Sequence, residues 1–307
     1  MDTEALDALV IDMGGGSELL MTSMLALMMF AVALGLKPSQ FAFFKKDPKH
    51  YLAGVLAQIL GLPLLTLALV FLVKPAPSIA LGMILVACCP GGNISNLLAM
   101  FGRANTALSV SLTATSSLAA AFITPVSILF WSSLYPPTND LLHTINFDAL
   151  AFLQQAMLIL ALPIALGMLT AYKLPALAAR LQKPLGLLAG GILCAVIIVS
   201  FYKFRDLIPL LFWMIVPLVI LHNGLAFGLG YACGLLTKAD IPTRRALTFE
   251  VGIQNSGLGW VILITQFSGL GGAAAVTGMW GLWHIVAGSI MIGAFRLADR
   301  RRGYAHV

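Results

Sequence analysis

Nine long apolar stretches, separated by short polar ones, run along the chain. They span Ser17 to Leu36, Tyr51 to Val73, Ser78 to Gly102, Thr106 to Ser133, Phe147 to Tyr172, Leu185 to Phe201, Leu207 to Leu236, Ala246 to Phe267 and Gly271 to Phe295. Each is close to the ~20 residues a helix needs to cross hydrocarbon. The stretches are continuous and rich in Ala and Leu rather than alternating, which predicts helices and not the strands of an outer-membrane barrel. The connections are short. The pattern therefore predicts an all-α polytopic membrane protein of nine transmembrane helices, with 1–307 forming a single membrane domain and no soluble module.

Composition removes the other classes. Of 307 residues, 60% are hydrophobic and 10% charged, against about 25% charged in a soluble domain. A soluble core cannot hide that much apolar surface. The net charge of +6 would suit nucleic acid, but no basic run is long enough or interleaved with aromatics for such a surface. Cytoplasmic loops of membrane proteins account for it better. The cysteines (Cys88, Cys89, Cys194, Cys233) all fall in apolar stretches without metal-type spacing and read as small packing residues. The N-terminal segment is acidic and lacks the basic n-region of a cleaved signal.

Charge also sets the orientation. With the N-terminus outside, the inner segments hold Lys37, Lys45, Lys46, Lys49, Arg103, Lys173, Arg180, Lys183, Lys238, Arg244, Arg245, Arg296, Arg300, Arg301 and Arg302, which is 15 of the 18 basic residues. That bias predicts nine spans, N-out and C-in, in a plasma membrane. The acidic residues lie in or beside loops with one exception. Glu250 falls inside the eighth stretch, and an ionisable group at membrane depth is a functional candidate. Trp131 and Trp213 are candidate interfacial anchors.

Two stretches carry helix breakers at mid-span. The third contains Cys88-Cys89-Pro90-Gly91-Gly92-Asn93-Ile94-Ser95-Asn96, the eighth Glu250-Val251-Gly252-Ile253-Gln254-Asn255-Ser256-Gly257. Proline removes an N–H and clashes with the preceding turn, and glycine weakens a helix. Unwound backbone at this depth is tolerated only where it is buried in protein or lines a cavity. The two breaks lie in helices of opposite direction, which points to an inverted repeat with a binding site at the midplane. Packing kinks are the plainer reading of either one alone. Both are loaded with Asn, Ser, Gln or Glu, and that favours a site.

The side chains on offer are hard oxygen donors with no His/Cys cluster, so they suit an alkali or alkaline-earth cation rather than a transition metal. One buried carboxylate favours a monovalent ion over calcium. Half-helix N-termini beside such a site favour an anion. Taken together, these features are what a cation-coupled organic-anion transporter requires.

The same residues resemble a known family. Cys88 to Asn96, Ala107 to Thr113 and Glu250 to Leu258 look like motifs of the bile acid:sodium symporter family, as do Leu221-His222-Asn223-Gly224 and Gly35-Leu36-x-Pro38-Ser39. The resemblance implies a bacterial homologue with two discontinuous crossing helices, a core domain and a panel domain. It implies an inner-membrane location and two sodium ions as the only cofactor. A first sodium site would use Ser95, Asn96, Ser109, Thr113 and Glu250. A second would use Gln58, Glu250, Val251, Ile253 and Gln254, with Val251 and Ile253 giving carbonyl oxygens. The organic anion would lie near Asn93, Asn255 and Ile285. Asn93 replaces a frequent Thr of the family, and His284-Ile285 replaces a frequent His-Asn, so bile acids, pantoate-like acids and 2-oxo acids all stay open as substrates. The expected protein is a monomeric sodium symporter working by alternating access. Proton coupling through Glu250 and a non-transporting sensor are the alternatives. An enzyme is not expected, because neither HExxH nor GxSxG nor a paired acid and base is present.

Overall fold

The computed structural model describes residues 17–41, 43–203, 208–267 and 269–301. Among these, all regular structure is helical: α1 Ser17–Leu34, α2 Pro48–Val73, α3 Pro77–Ala87, α4 Asn93–Phe101, α5 Thr106–Ser133, α6 Pro136–Thr144, α7 Ala149–Lys173, α8 Pro175–Lys203, α9 Ile208–Leu236, α10 Ile241–Gly252, α11 Ser256–Gln266 and α12 Gly271–Arg301. Two single turns, Pro38–Phe41 and Phe43–Lys46, link α1 to α2. Among the described residues, five helices are long and apolar enough to cross a membrane, or six when α1 is counted with the bent turns after it. This is a multi-pass membrane protein.

Each predicted stretch coincides with helix, and both predicted breaks are present. The third stretch divides into α3 and α4 across Cys88–Gly92. The eighth divides into α10 and α11 across 253–255. Two features differ from the sequence expectation. α8 begins at Pro175, ten residues before the apolar stretch, because the Ala/Leu-rich segment that precedes it is itself helical. α6 fills what reads as a loop. It opens on two prolines, whose missing N–H costs nothing in a first turn.

The helix starts follow from capping. Asn105 accepts from Leu108 N at 3.1 Å, Asp148 from Leu150 N and Ala151 N at 3.0 Å each, and Asp240 from Thr243 N at 2.9 Å. Such caps satisfy donors that the first turn leaves open. Asn105 also ties two helices together, donating its backbone N–H to Pro242 O at 2.9 Å and its amide to Thr243 at 3.3 Å. This fixes the start of α5 against the start of α10.

α3 is buried along its length from Ser78 to Ala87. It is apolar all round, as an interior helix must be, and packs on α12, α2 and α5. α1 packs mainly on α7 and α8, while α9 lies along α10. Large apolar side chains such as Leu64, Leu72, Leu158 and Trp213 stay exposed where a bilayer would cover them. Trp131 does not join them. It is 8% exposed and packs inside the main apolar cluster, so the anchor role expected of it does not hold. Its ring lies beside Phe130, which takes the exposed position instead.

Where α4 ends, a buried ion pair closes the bundle. The Arg245 guanidinium donates to both carboxylate oxygens of Asp299, to Gly102 O at 3.1 Å and to Phe295 O at 3.3 Å. Arg103 approaches the same carboxylate at 3.8 Å. Arg296 donates to Phe101 O at 3.0 and 3.2 Å. The end of α12 is thereby fastened to the end of α4 and the start of α10.

Candidate functional site

The two breaks cross and hold each other. Pro90 cannot donate, and the chain after it runs extended to Gly92, whose φ and ψ are −89° and 145°. Ile253 is extended as well. The segments meet in an isolated antiparallel bridge between Gly91 and Gln254. Gly92 N donates to Ile253 O at 3.3 Å, and Asn255 N donates to Pro90 O at 2.8 Å. The freed backbone groups of each break are thus satisfied by the other, which backbone away from water requires.

On one side of the bridge lies Glu250, 1% exposed. Its Oε1 accepts from Ser95 Oγ and Ser109 Oγ, each at 2.5 Å, and from Thr113 Oγ1 at 3.1 Å. Its Oε2 accepts from Thr113 Oγ1 at 2.9 Å. Asn96 Oδ1 accepts from Ser109 Oγ at 2.9 Å and from Thr113 Oγ1 at 3.3 Å. Ser95 Oγ and Thr113 Oγ1 are 3.2 Å apart. The first predicted set is therefore brought together complete, from α4, α5 and α10. Ser109 and Thr113 lie four residues apart and so face the same way on α5. Six side-chain oxygens share three hydroxyl protons in this cluster. It is rich in acceptors and poor in donors, which favours a hard cation. Among the described residues no three His, Cys, Asp or Glu side chains gather into a metal group.

The second predicted set gathers at the end of α10. The last carbonyls of a helix lack an intrahelical donor, and here side-chain amides supply it. Gln58 Nε2 donates to Glu250 O at 3.1 Å, and Gln254 Nε2 to Val251 O at 2.9 Å. Ile253 O takes the N–H of Gly92 described above. Gln58 reaches α10 from a π-helical turn, Ala57–Gly61, inside α2. A lone glutamine in a span ordinarily bridges helices; Gln58 is 3% exposed and spends its amide N–H on the end of α10. Gln254 Oε1 is buried without a partner.

Gly91 sits between the two sets. A Cβ there would lie 2.9 Å from Gln58 Nε2 and 3.1 Å from Glu250 Oε2. Only a residue without a side chain lets the backbone come this close to both.

The other side of the bridge opens into a cavity of about 720 Å³. Asn93, Asn255 and Ile285 all line it, and Gln254, Asn96 and Thr113 reach it from the cation side. α1 and α8 form its opposite wall through residues such as Met28 and Leu193. Asn93 is the first residue of α4 and Asn255 caps α11. Both half-helix N-termini, the ends that attract negative charge, therefore face one cavity. Asn255 Oδ1 is taken by Leu258 N at 3.0 Å. Among the described residues, no Asp, Glu, Lys or Arg lines this cavity. Ile285 is 41% exposed overall and offers apolar contact only.

One pairing is not visible in the sequence. Arg245 and Asp299 appeared only as charges of inner segments, and their pairing joins positions far apart in the chain. Asn223 belongs to the Leu221–Gly224 motif and bonds between helices. It is fully buried and donates to Gly252 O at 2.7 Å. Its neighbour His222 contacts Thr66 Oγ1 of α2 at 2.7 Å.

Comparison with known proteins identifies the family. The model of the sodium bile acid symporter family matches residues 22–221. The chain belongs to that family. The match takes in Ser95, Asn96, Ser109 and Thr113 and ends before Glu250. Pairwise likeness extends further. An uncharacterized sodium-dependent transporter of Bacillus subtilis, YocS, is 32% identical over 270 residues, covering 88% of this chain and 81% of its own length. The human ileal sodium/bile acid cotransporter is 28% identical over 253 residues, covering 81% and 70%. The probable sodium/metabolite cotransporter BASS1 of the Arabidopsis thaliana chloroplast is 31% identical over 253 residues, and the chain spans 60% of its length. The symporter family is a family of membrane transporters and not of enzymes.

Proposed function

We propose that this protein is a sodium-coupled symporter that imports an organic anion. The observation that carries the proposal is the convergence of Ser95, Ser109, Thr113 and Asn96 on the buried Glu250 carboxylate, back to back with two helix N-termini that share a cavity. A cation bound at Glu250 compensates a charge that is costly to bury alone. The anion then meets a site already biased towards it by amides, helix ends and the nearby ions.

In this reading sodium is a co-substrate. One ion takes Ser95, Asn96, Ser109, Thr113 and Glu250. The second takes Gln58, Gln254, Glu250 and the carbonyls of Val251 and Ile253. Glu250 serves both and so couples them. The anion rests against Asn93, Asn255 and Ile285. Nine spans cross the plasma membrane, N-out and C-in, as one monomeric domain. α3–α4 and α10–α11 are the corresponding broken helices of an inverted repeat. The helices carrying the crossing form a core that moves against a panel of α1, α7 and α8 in alternating access. The names of the relatives support sodium coupling, and the likeness to an ileal bile acid cotransporter supports an amphipathic carboxylate as one substrate to try.

The test is uptake of labelled monocarboxylates, a bile acid and a 2-oxo acid among them, into proteoliposomes. An inward sodium gradient is expected to drive accumulation that equal potassium does not, and Glu250→Ala is expected to abolish it. In parallel, sodium is expected to raise the melting temperature saturably over potassium, as any ligand selective for the folded state does. Uptake driven by a pH gradient without sodium would replace this reading with proton coupling. Sodium-dependent anion binding without uptake would replace it with a sensor.

A further inference from the structure

The end of α10 has a third amide that neither sodium set contains. Along its last turn, each carbonyl from Glu250 to Ile253 accepts one hydrogen bond from outside the helix. The donors are Gln58, Gln254, Asn223 and the backbone of Gly92, in that order. Asn223 takes the central place, on Gly252, which lies between the two residues whose carbonyls are proposed to face the second ion.

α9 grips Gly252 at two points. Asn223 Nδ2 holds its carbonyl at 2.7 Å. Phe227, one turn further along the same face, covers its Cα so closely that a Cβ would lie 2.2 Å from the ring. Both α9 side chains are buried. A peptide plane is rigid, so fixing the Gly252 carbonyl also fixes the direction of the Ile253 N–H. Through the neighbouring α-carbons it limits how the Val251 and Ile253 carbonyls can tilt. Asn223 Oδ1 is buried without a partner. A polar amide is therefore kept at full burial with half its hydrogen-bonding capacity unused, and the bond to Gly252 is what it makes there.

We infer that Asn223 is a positioning residue of the second sodium site, setting the Val251 and Ile253 carbonyls by fixing the peptide between them. This rests on the two-site reading above. Gln58 and Gln254 can turn an amide oxygen towards an ion. Asn223 instead keeps its donor on Gly252 while the ion comes and goes.

The experiment is a sodium titration of melting temperature, at constant ionic strength with potassium as balance, for wild type, Asn223→Ala and Asn223→Ser. A merely structural role lowers the melting temperature equally in both salts and leaves the half-saturating sodium concentration unchanged. The positioning role raises that concentration about tenfold or more and makes the titration less steep, because one of two sites is weakened. Asn223→Ser keeps a shorter donor and is expected to lie between wild type and Asn223→Ala. If Asn223→Ala does not fold, the serine variant carries the same criterion. A wild-type half-saturation in the folded variants overturns the inference. A wild type that gives no sodium-specific rise overturns the proposed function itself, and the two failures are thereby told apart.

Discussion

Thr113 Oγ1 lies within hydrogen-bond distance of both carboxylate oxygens of Glu250, at 3.1 and 2.9 Å. One hydroxyl has one proton, so at any instant it satisfies one of the two and its lone pairs face a cluster of other oxygens. Thr113→Val keeps the shape and removes the oxygen. Stability in potassium is expected to fall by about 1.5–3 kcal/mol, the worth of a hydrogen bond to a charged group. The sodium needed for half-maximal uptake is expected to rise about tenfold or more. A sodium titration of uptake, set beside a melt in potassium, separates the two effects.

Gly91→Ala tests the crossing. The new methyl would meet Gln58 Nε2 at 2.9 Å and Glu250 Oε2 at 3.1 Å. Gln58 can swing away, but it then loses the Glu250 carbonyl. Overpacking of this kind costs about 1–3 kcal/mol. A lower melting temperature is expected, together with loss of most of the sodium-dependent rise. A variant with a wild-type response to sodium would show that Gln58 is dispensable.

The Arg245–Asp299 pair is expected to matter for folding rather than for ion selectivity. Removing one partner of a buried pair leaves an uncompensated charge and costs about 3–5 kcal/mol. Asp299→Ala is therefore expected to lower the melting temperature markedly in sodium and potassium alike. Replacing both partners, as in Arg245→Met with Asp299→Leu, is expected to recover much of that loss, since neither charge is then buried alone. Melting curves of the three variants decide it.

The natural cysteines report on the cavity. Cys194 is exposed and lines it, whereas Cys88 and Cys89 are buried. A bulky, charged thiol reagent is expected to modify Cys194 in the folded protein and leave Cys88 and Cys89 untouched until denaturation. Modification is expected to block uptake, and a transported anion to protect against it. Mass spectrometry of labelled peptides reads all three positions at once.

The parts of this architecture written in local chemistry were legible in the sequence. Pro90 and the two glycines after it announce a break because one removes a donor and the others loosen the helix. Ser109 and Thr113 announce one face because four residues make about one turn. Glu250 stood out because a lone carboxylate in an apolar stretch has no cheap explanation. What the sequence did not disclose was set by contacts between distant segments. Nothing near Arg245 names Asp299 as its partner. Nothing near Asn223 says that its amide meets Gly252. Trp131 looked like an anchor because it stands near the end of a span, and only packing shows that it turns inwards. α6 was missed because a helix opening on Pro136-Pro137 is short and nearly neutral in hydropathy, so its pattern resembles that of a loop.

The π-helical turn at Ala57–Gly61 has a consequence for ancestry. Such a turn is an α-helical turn holding one residue more than its neighbours. Deleting a single residue there would restore a regular helix, shifting residues inside the turn while the faces on either side keep their directions. Gln58 would leave the end of α10 while the membrane-facing residues that follow stayed in place. A one-residue gap at this point, when sequences of relatives are laid side by side, would mark the lineages that gained or lost this amide contact.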